Sequence, residues 1–389
     1  MADVVVVGGG PAGASCALTL ARRGVAVTVV ERTRFPRRKV CGEYLNAGAM
    51  SALAELGIGA IVRNEGRALS GVRLVTPAIE PVELAFPSAS YALARERLDA
   101  LLLEAAMAAG ATVVQARAED VIFENGRTAG IVVRNEDGTP AQLRARFVVG
   151  ADGSGSVVAR KLGLVRRSRG KRRFALGGHY RGFGDLGGWV EMHVDRGTYF
   201  ALNPLPGELT NVMVVVPEHM VATWSQATDE GLQCAAAALG AGRRSFEGTQ
   251  RVGPRAAIGP LAFAVRAVSC PGALLAGDAS GFLNPFTGQG VMLALRGGIS
   301  AALAIQAALR AGNQESAAWA EYAEQRARDF GERRKLARLV DLLVDVPFLA
   351  RRAARRLHRF PALREQIMSA LGGSQQQVPS PLTFRRLLA

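Results

Sequence analysis

Apolar residues fall into runs of distinct kinds along this chain. Short, unbroken, Val-rich stretches such as Val4–Val7 and Val25–Val30 predict buried strands. Between them, Ala14–Arg22 keeps small residues on one side and predicts a helix that Gly24 stops. Helices are also expected over 46–56 and 95–109, the second with Leu98, Leu101, Leu102 and Ala105 on one face and Gly110 after its end. Strands are expected over 112–115, 118–124 and 128–135, the last two joined by the hairpin signal Asn125-Gly126. Phe147–Gly150 and Ala273–Ala276 are further short buried strands, and 290–311 reads as a long apolar helix.

A second pattern occupies the middle of the chain. Stretches 174–182, 189–195, 198–203 and 210–216 carry strand signals, separated by Gly-Asp, Arg-Gly and Pro-Gly-Glu turns. They predict an antiparallel sheet inserted into a first domain. Stretch 70–86 alternates apolar and polar residues between prolines and predicts a strand pair leaving that domain. A helix is expected over 226–238, and 252–264 should return toward the first domain. Residues 316–371 read as helical and basic, and the Gln-, Ser- and Pro-rich end as loosely ordered.

With 389 residues, 49% of them hydrophobic, the chain can hold two domains and a sizeable core. Its net charge of +15 is local: Arg160 to Arg173 holds eight basic residues and no acidic one, and Arg326 to Arg364 twelve against four. Such segments attract anionic surfaces, or form a solvated face of an Arg-rich chain. Phospholipid head groups fit better than nucleic acid, since aromatic content is 6% and no nucleic-acid-binding motif is visible. Four scattered cysteines, four histidines and no H-E-x-x-H exclude an evident metal site. No run approaches ~18 apolar residues, and no basic segment precedes the first strand. A cytoplasmic protein, or one at the membrane periphery, is expected.

Chemistry concentrates where strands meet glycines. Gly8, Gly10 and Gly13 stand at G-x-G-x-x-G spacing, with Pro11 and Ala12 opening a helix after the first strand. The first glycine allows the tight turn, the second lets backbone approach a pyrophosphate, and the third lets helix pack on strand. The helix N-terminus offers free N–H groups to phosphate. Glu31, followed by Arg32, ends the second strand, where a carboxylate can hold ribose hydroxyls. This unit binds a dinucleotide, NAD or FAD. Asp152-Gly153 and Gly277-Asp278 end two further strands, where an acid can bind sugar or ribityl hydroxyls. Pro285-x-x-Gly288-Gln289-Gly290 then opens a helix whose N–H groups and dipole would favour the negative edge of a reduced flavin.

On the opening glycine motif with Glu31, the loop FPRRKVCGE, the segment YALARERLD, and the stretches VVGADGSGS and AGDASGFLNPFTGQG, the chain resembles FAD-dependent oxidoreductases built like para-hydroxybenzoate hydroxylase. Within them it is similar to the geranylgeranyl reductase-like branch, over residues 1 to about 310. The resemblance implies an α/β fold: a Rossmann-type FAD-binding domain (1–70, 88–170 and 252–312), an inserted antiparallel β-sheet substrate domain (71–87 and 171–251), and a helical basic C-terminal region (313–389). It implies that Arg95 contacts FAD, that Asp278 binds its ribityl or pyrophosphate portion, and that the turn Pro285 to Gly290 cradles the isoalloxazine. Asp152 and Gly153 belong to a motif associated with FAD and NAD(P)H. Cys41 and Gly42 sit in a loop that lies near the flavin in this branch.

Cys41 either lines the flavin or substrate pocket or packs as a small buried residue. Glu43 is a proton donor or, more in keeping with its basic neighbours, a structural partner of an arginine. His179 and Tyr199, on expected strands, are the other catalytic candidates. Only one G-x-G-x-x-G is present, so NAD(P)H must dock transiently or a flavin or ferredoxin reductase must deliver electrons. The Trp-x-Trp-x-Ile-Pro motif of flavin-dependent tryptophan halogenases is absent, which argues against halogenation. Two reactions fit: NAD(P)H-dependent hydroxylation of a hydrophobic aromatic or polyketide-like substrate, and C=C reduction of a polyprenyl lipid. Hydroxylation is preferred because nothing in the sequence is visibly dedicated to a long lipid tail. A non-catalytic flavin-binding protein is the remaining alternative.

Overall fold

Ala2–Val7 lies at the centre of a seven-stranded sheet, with Val4 and Val6 fully buried. It runs parallel to Val27–Glu31 on one side and to the end of Pro140–Gly150 on the other, so Val4 faces both Val27 and Phe147. Thr112–Glu124 and Ala273–Leu275 extend the sheet outward, again parallel. All these strands therefore end at one edge, where Gly8, Glu31, Ala151 and Gly277 emerge. Away from that edge, Thr112–Glu124 and Pro140–Gly150 continue into an antiparallel meander with Arg127–Asn135. The computed structural model describes residues 2–77, 79–167, 172–221, 246–282, 285–312 and 314–372. The helix expected over 226–238, the Gln-rich end and part of the basic run 160–173 lie outside them.

Alternation along the strands builds two cores. Val4, Val6, Val29, Phe147 and Val149 pack under three helices, Pro11–Ala21, Arg95–Ala108 and Gly290–Arg310. Val5, Val7, Val30 and Val148 face the other way, onto Val158, Leu164 and Leu275. The first helix starts at Pro11, three residues before the expected start, because proline lacks the N–H that position N1 leaves unused. By length and composition Gly290–Arg310 could cross a bilayer, yet it is a core helix. Ser15 Oγ donates to the carbonyl of Leu295 at 3.2 Å, and a Cβ on Gly298 would overlap the carbonyl oxygen of Ala12.

The second sheet has eight strands, in the order Gln250–Ile258, Arg173–Arg181, Thr210–Pro217, Thr198–Pro204, Trp189–Asp195, Arg67–Thr76, Ile79–Ala92 and Tyr44–Leu45. It departs from the expected antiparallel insert in three ways. Trp189–Asp195 runs parallel to Arg67–Thr76, because a long connection, unlike a tight hairpin, leaves strand direction free. The early hairpin reaches from Arg67 to Ala92, well beyond 71–87. Gln250–Ile258 is an edge strand of this second sheet and has not yet returned to the first.

Prolines at 347 and 361 divide the end of the chain into the helices Ser316–Asp345, Pro347–Arg359 and Pro361–Leu371. They fold over one face of the second sheet. Leu336, Val340 and Val344 join Val190, Met192 and Val215, while Leu357, Leu363 and Ile367 join Val82 and Leu84. The apolar stripe of this region thus packs on the protein's own interior. Arg173 locks the arrangement: it donates to the carbonyl of Gly197 and pairs with Asp345 at 2.5 Å. Arg173→Met is expected to cost ~3 kcal/mol, the low end for breaking a buried pair because Asp345 keeps some solvent. A lowered urea midpoint measures it.

Candidate functional site

Two helix N-termini open into one cavity of about 330 Å³ at the strand-end edge. Pro11–Ala21 begins at Gly10 and Gly290–Arg310 at Gln289, and neither has a side-chain cap. Their first N–H groups therefore have only a ligand or water to satisfy them. Glycine makes the approach possible. Gly8 has φ +102°, and a Cβ there would lie 2.5 Å from the carbonyl oxygen of Ala151. A Cβ on Gly13 would overlap the carbonyl oxygen of Gly8. Lys39 and Arg95 line the same cavity, and burial beside Arg95 pushes the Lys39 pKa down. Arg95 is held by a two-pronged bond to the fully buried Asp99, at 2.7 and 2.8 Å.

The loop from Arg38 to Glu43 is clamped from both sheets. Asn203 and Asn211, opposite one another in the second sheet, donate their side-chain N–H groups to the carbonyls of Gly42 and Cys41 at 2.7 Å. Arg38 donates to the carbonyls of Val252 and Pro254 and to His179 Nδ1 at 2.9 Å. A guanidinium only donates, so Nδ1 accepts and the imidazole proton sits on Nε2. That proton is donated to Glu43 Oε2 at 2.7 Å. Glu43 Oε1 accepts the Arg95 backbone N–H at 2.9 Å. Glu43 adopts φ +57°, a left-handed conformation stabilised by these bonds.

Beyond the loop the cavity becomes apolar. Its floor is the inward face of the second sheet, including Val72, Leu84, Met192, Ala201 and Met213. Its roof is the C-terminal helices, through Leu336, Val340, Leu343, Leu357 and Ile367. Tyr199 lies between the apolar part and the turn after Pro285, its ring edge-on to Phe286 at 5.1 Å. Its hydroxyl has no hydrogen-bond partner among the described residues, and burial pushes its pKa up, so it stays a proton-bearing donor.

The structure gathers most of the expected site residues. Gly10, Pro11, Ala12, Cys41, Gly42, Arg95, Gly153, Gly277, Asp278, Pro285, Gly288, Gln289, Gly290 and Tyr199 all line the main cavity. Glu31 borders an adjoining cleft with Thr33, Phe35 and Leu103, where its Oε2 accepts the Gly9 N–H at 2.9 Å. Arg32 is exposed and borders neither. Asp152 points away from the cavity. Its carboxylate accepts from Ser156 Oγ and from Val157 N–H at 2.7 Å, which caps the helix Val157–Lys161, and burial pushes its pKa up. His179 is likewise outside the lining, fixed between Arg38 and Glu43 as a positioning residue. The partners of Glu43 are His179 and a backbone N–H, where an arginine side chain was expected. Lys39, Asn203 and Asn211 escaped the sequence reading. The one available signal was two amides at inward positions of otherwise apolar strands.

These features fit FAD. Uncapped helix starts and buried cations suit its pyrophosphate, Glu31 in the next cleft suits its ribose, and Gln289 Oε1 is a buried acceptor without a partner beside the second helix start. The family described as FAD binding domain matches residues 1–333. The chain is 30% identical to a menaquinone reductase of Mycolicibacterium smegmatis, over 88% of this chain and 85% of that one. It is 25% identical to a 1H-pyrrole-2-carbonyl-[peptidyl-carrier protein] brominase of Pseudoalteromonas luteoviolacea, over 79% and 78%. A geranylgeranyl bacteriochlorophyll reductase-like structure from Thermoplasma acidophilum superposes with a TM-score of 0.74 at 22% identity, over 99% and 95%.

Proposed function

Because the chain belongs to the FAD binding domain family, we propose that it is an FAD-dependent reductase that saturates a C=C bond in a long apolar, polyprenyl-type lipid. One observation carries this reading: the cavity continues from the glycine cradle into a chamber walled by the second sheet and the C-terminal helices. Those helices are the lipid-sized feature that the sequence did not reveal, which reverses the preference for hydroxylation. A small aromatic substrate would leave most of this wall unfilled. The 30% identity to a menaquinone reductase supports the same class of substrate. The brominase likeness means that lacking the Trp-x-Trp-x-Ile-Pro motif does not by itself separate the chain from halogenases.

Reduced FAD in the cradle would supply a hydride, and NAD(P)H, directly or through a flavin or ferredoxin reductase, is the proposed source of electrons. The protein's part is to bind, orient and exclude water. Gly10, Gly153 and Gly277 admit the cofactor, with Lys39 and Arg95 as the nearby cations. Asn203, Asn211 and His179 hold the loop that carries Cys41 and Glu43 against it. Saturating one C=C consumes one proton besides the hydride. Cys41 Sγ, Glu43 and the Tyr199 hydroxyl are titratable groups on the cavity wall from which that proton can come.

Anaerobic incubation of reduced protein with polyprenyl quinones should give a product heavier by two hydrogen atoms. Oxygen uptake with a hydroxylated product would instead establish hydroxylation. Ala201→Trp fills the chamber opposite Met213. It is expected to lower turnover by at least ~100-fold, within the range a misplaced substrate costs, while the flavin spectrum is unchanged.

A further inference from the structure

The helix Pro347–Arg359 has two faces with different tasks. Ala350, Ala353, Ala354 and Leu357 are buried at helical spacing, and Leu357 reaches the cavity. Phe348, Arg352, Arg355 and Arg359 recur at spacings of four, three and four residues, on the opposite side. Arg351 and Arg356 flank them, and the helix carries no acidic residue. Apolar side chains frame the arginines: Phe348 is 59% exposed, Leu342 43% and Phe360 38%.

We infer that this outer face is a docking surface for an anionic lipid bilayer. The charge pattern alone would suit any polyanion. The exposed Phe348, Leu342 and Phe360 favour lipid, because they contact acyl chains while arginine stems extend to the phosphates. Continuity with the cavity adds a second argument: the same helix is the chamber's roof, so a lipid could pass from the bilayer into the chamber beneath it. Only this last point rests on the proposed reaction. Docking itself depends on the surface alone and is measured without substrate or turnover.

The full-length flavoprotein is floated with phosphatidylcholine vesicles, with and without phosphatidylglycerol. Binding should require phosphatidylglycerol and weaken as salt rises. At ~1 kcal/mol per basic residue, R355E/R359E should reduce partitioning by at least roughly 30-fold. F348S/F360S should also reduce it, at a salt where wild type binds. Both variants alter exposed positions, so flavin content and absorbance spectrum should match wild type. Equal binding to neutral vesicles, wild-type binding by R355E/R359E, or complete displacement by an equal charge of duplex DNA would each overturn the assignment to lipid.

Discussion

Gly13→Val is expected to give a chain that holds no flavin and is severely destabilised. The reason is a closure of backbone on backbone. The helix Pro11–Ala21 crosses the end of Ala2–Val7 so closely that a Cβ at position 13 would overlap the carbonyl oxygen of Gly8, with Val6 Cγ1 at 3.2 Å. Backbone cannot step aside as a flexible side chain can, so the helix start must lift. Lifting it removes the N–H groups that face the cavity and opens the core around Val6, Leu18 and Phe147. Overpacking alone costs ~1–3 kcal/mol, and a shifted helix adds to that. The checks are the ratio of 450 nm to 280 nm absorbance after purification and the thermal midpoint. Gly24→Ala is the control. Its Cβ would meet nothing within 4 Å, so only its φ of +74° opposes the change, and flavin should remain.

Arg95→Met should be nearly as damaging, for an electrostatic reason. Asp99 is fully buried and receives two hydrogen bonds from Arg95. Removing that partner leaves a carboxylate with only Arg37 nearby, at 3.6 Å. Breaking a buried pair from one side costs ~3–5 kcal/mol. The cavity loses one of its cations at the same time. Arg95→Lys should not rescue the protein, because an ammonium cannot make the two-pronged contact. Arg95→Met with Asp99→Leu should recover more stability than flavin content, since it removes the stranded charge without restoring the cation. Denaturation midpoints and flavin titration separate the two effects.

The nucleotide half of the molecule was legible because its constraints are local. Each motif there is a strand, a turn and a helix start within about ten residues, and the required φ or close approach demands glycine. Asp152 shows the limit of that logic. An acid after a strand suits a sugar hydroxyl, but Ser156 four residues later turned it into a helix cap. Local sequence allowed both uses. The substrate half depends on contacts between distant segments. Asn211 meets Cys41, His179 meets Glu43, and Leu357 meets the sheet strand carrying Val82 and Leu84. None of these pairs has a spacing to read. The parallel partnership of Trp189–Asp195 with Arg67–Thr76 was hidden for the same reason.

The roof over the chamber comes from residues 336 to 371, whereas the cofactor cradle is complete by residue 290. The Gln289 side chain, at the cradle's last turn, donates to the carbonyls of Ala370 and Leu371. A ribosome therefore delivers the stopper after the vessel. The nascent chain meets flavin with its site still open to water and is sealed only when synthesis is almost finished. A chain cut before Pro361 would load its prosthetic group and leave the reduced ring unshielded, spilling electrons to dioxygen.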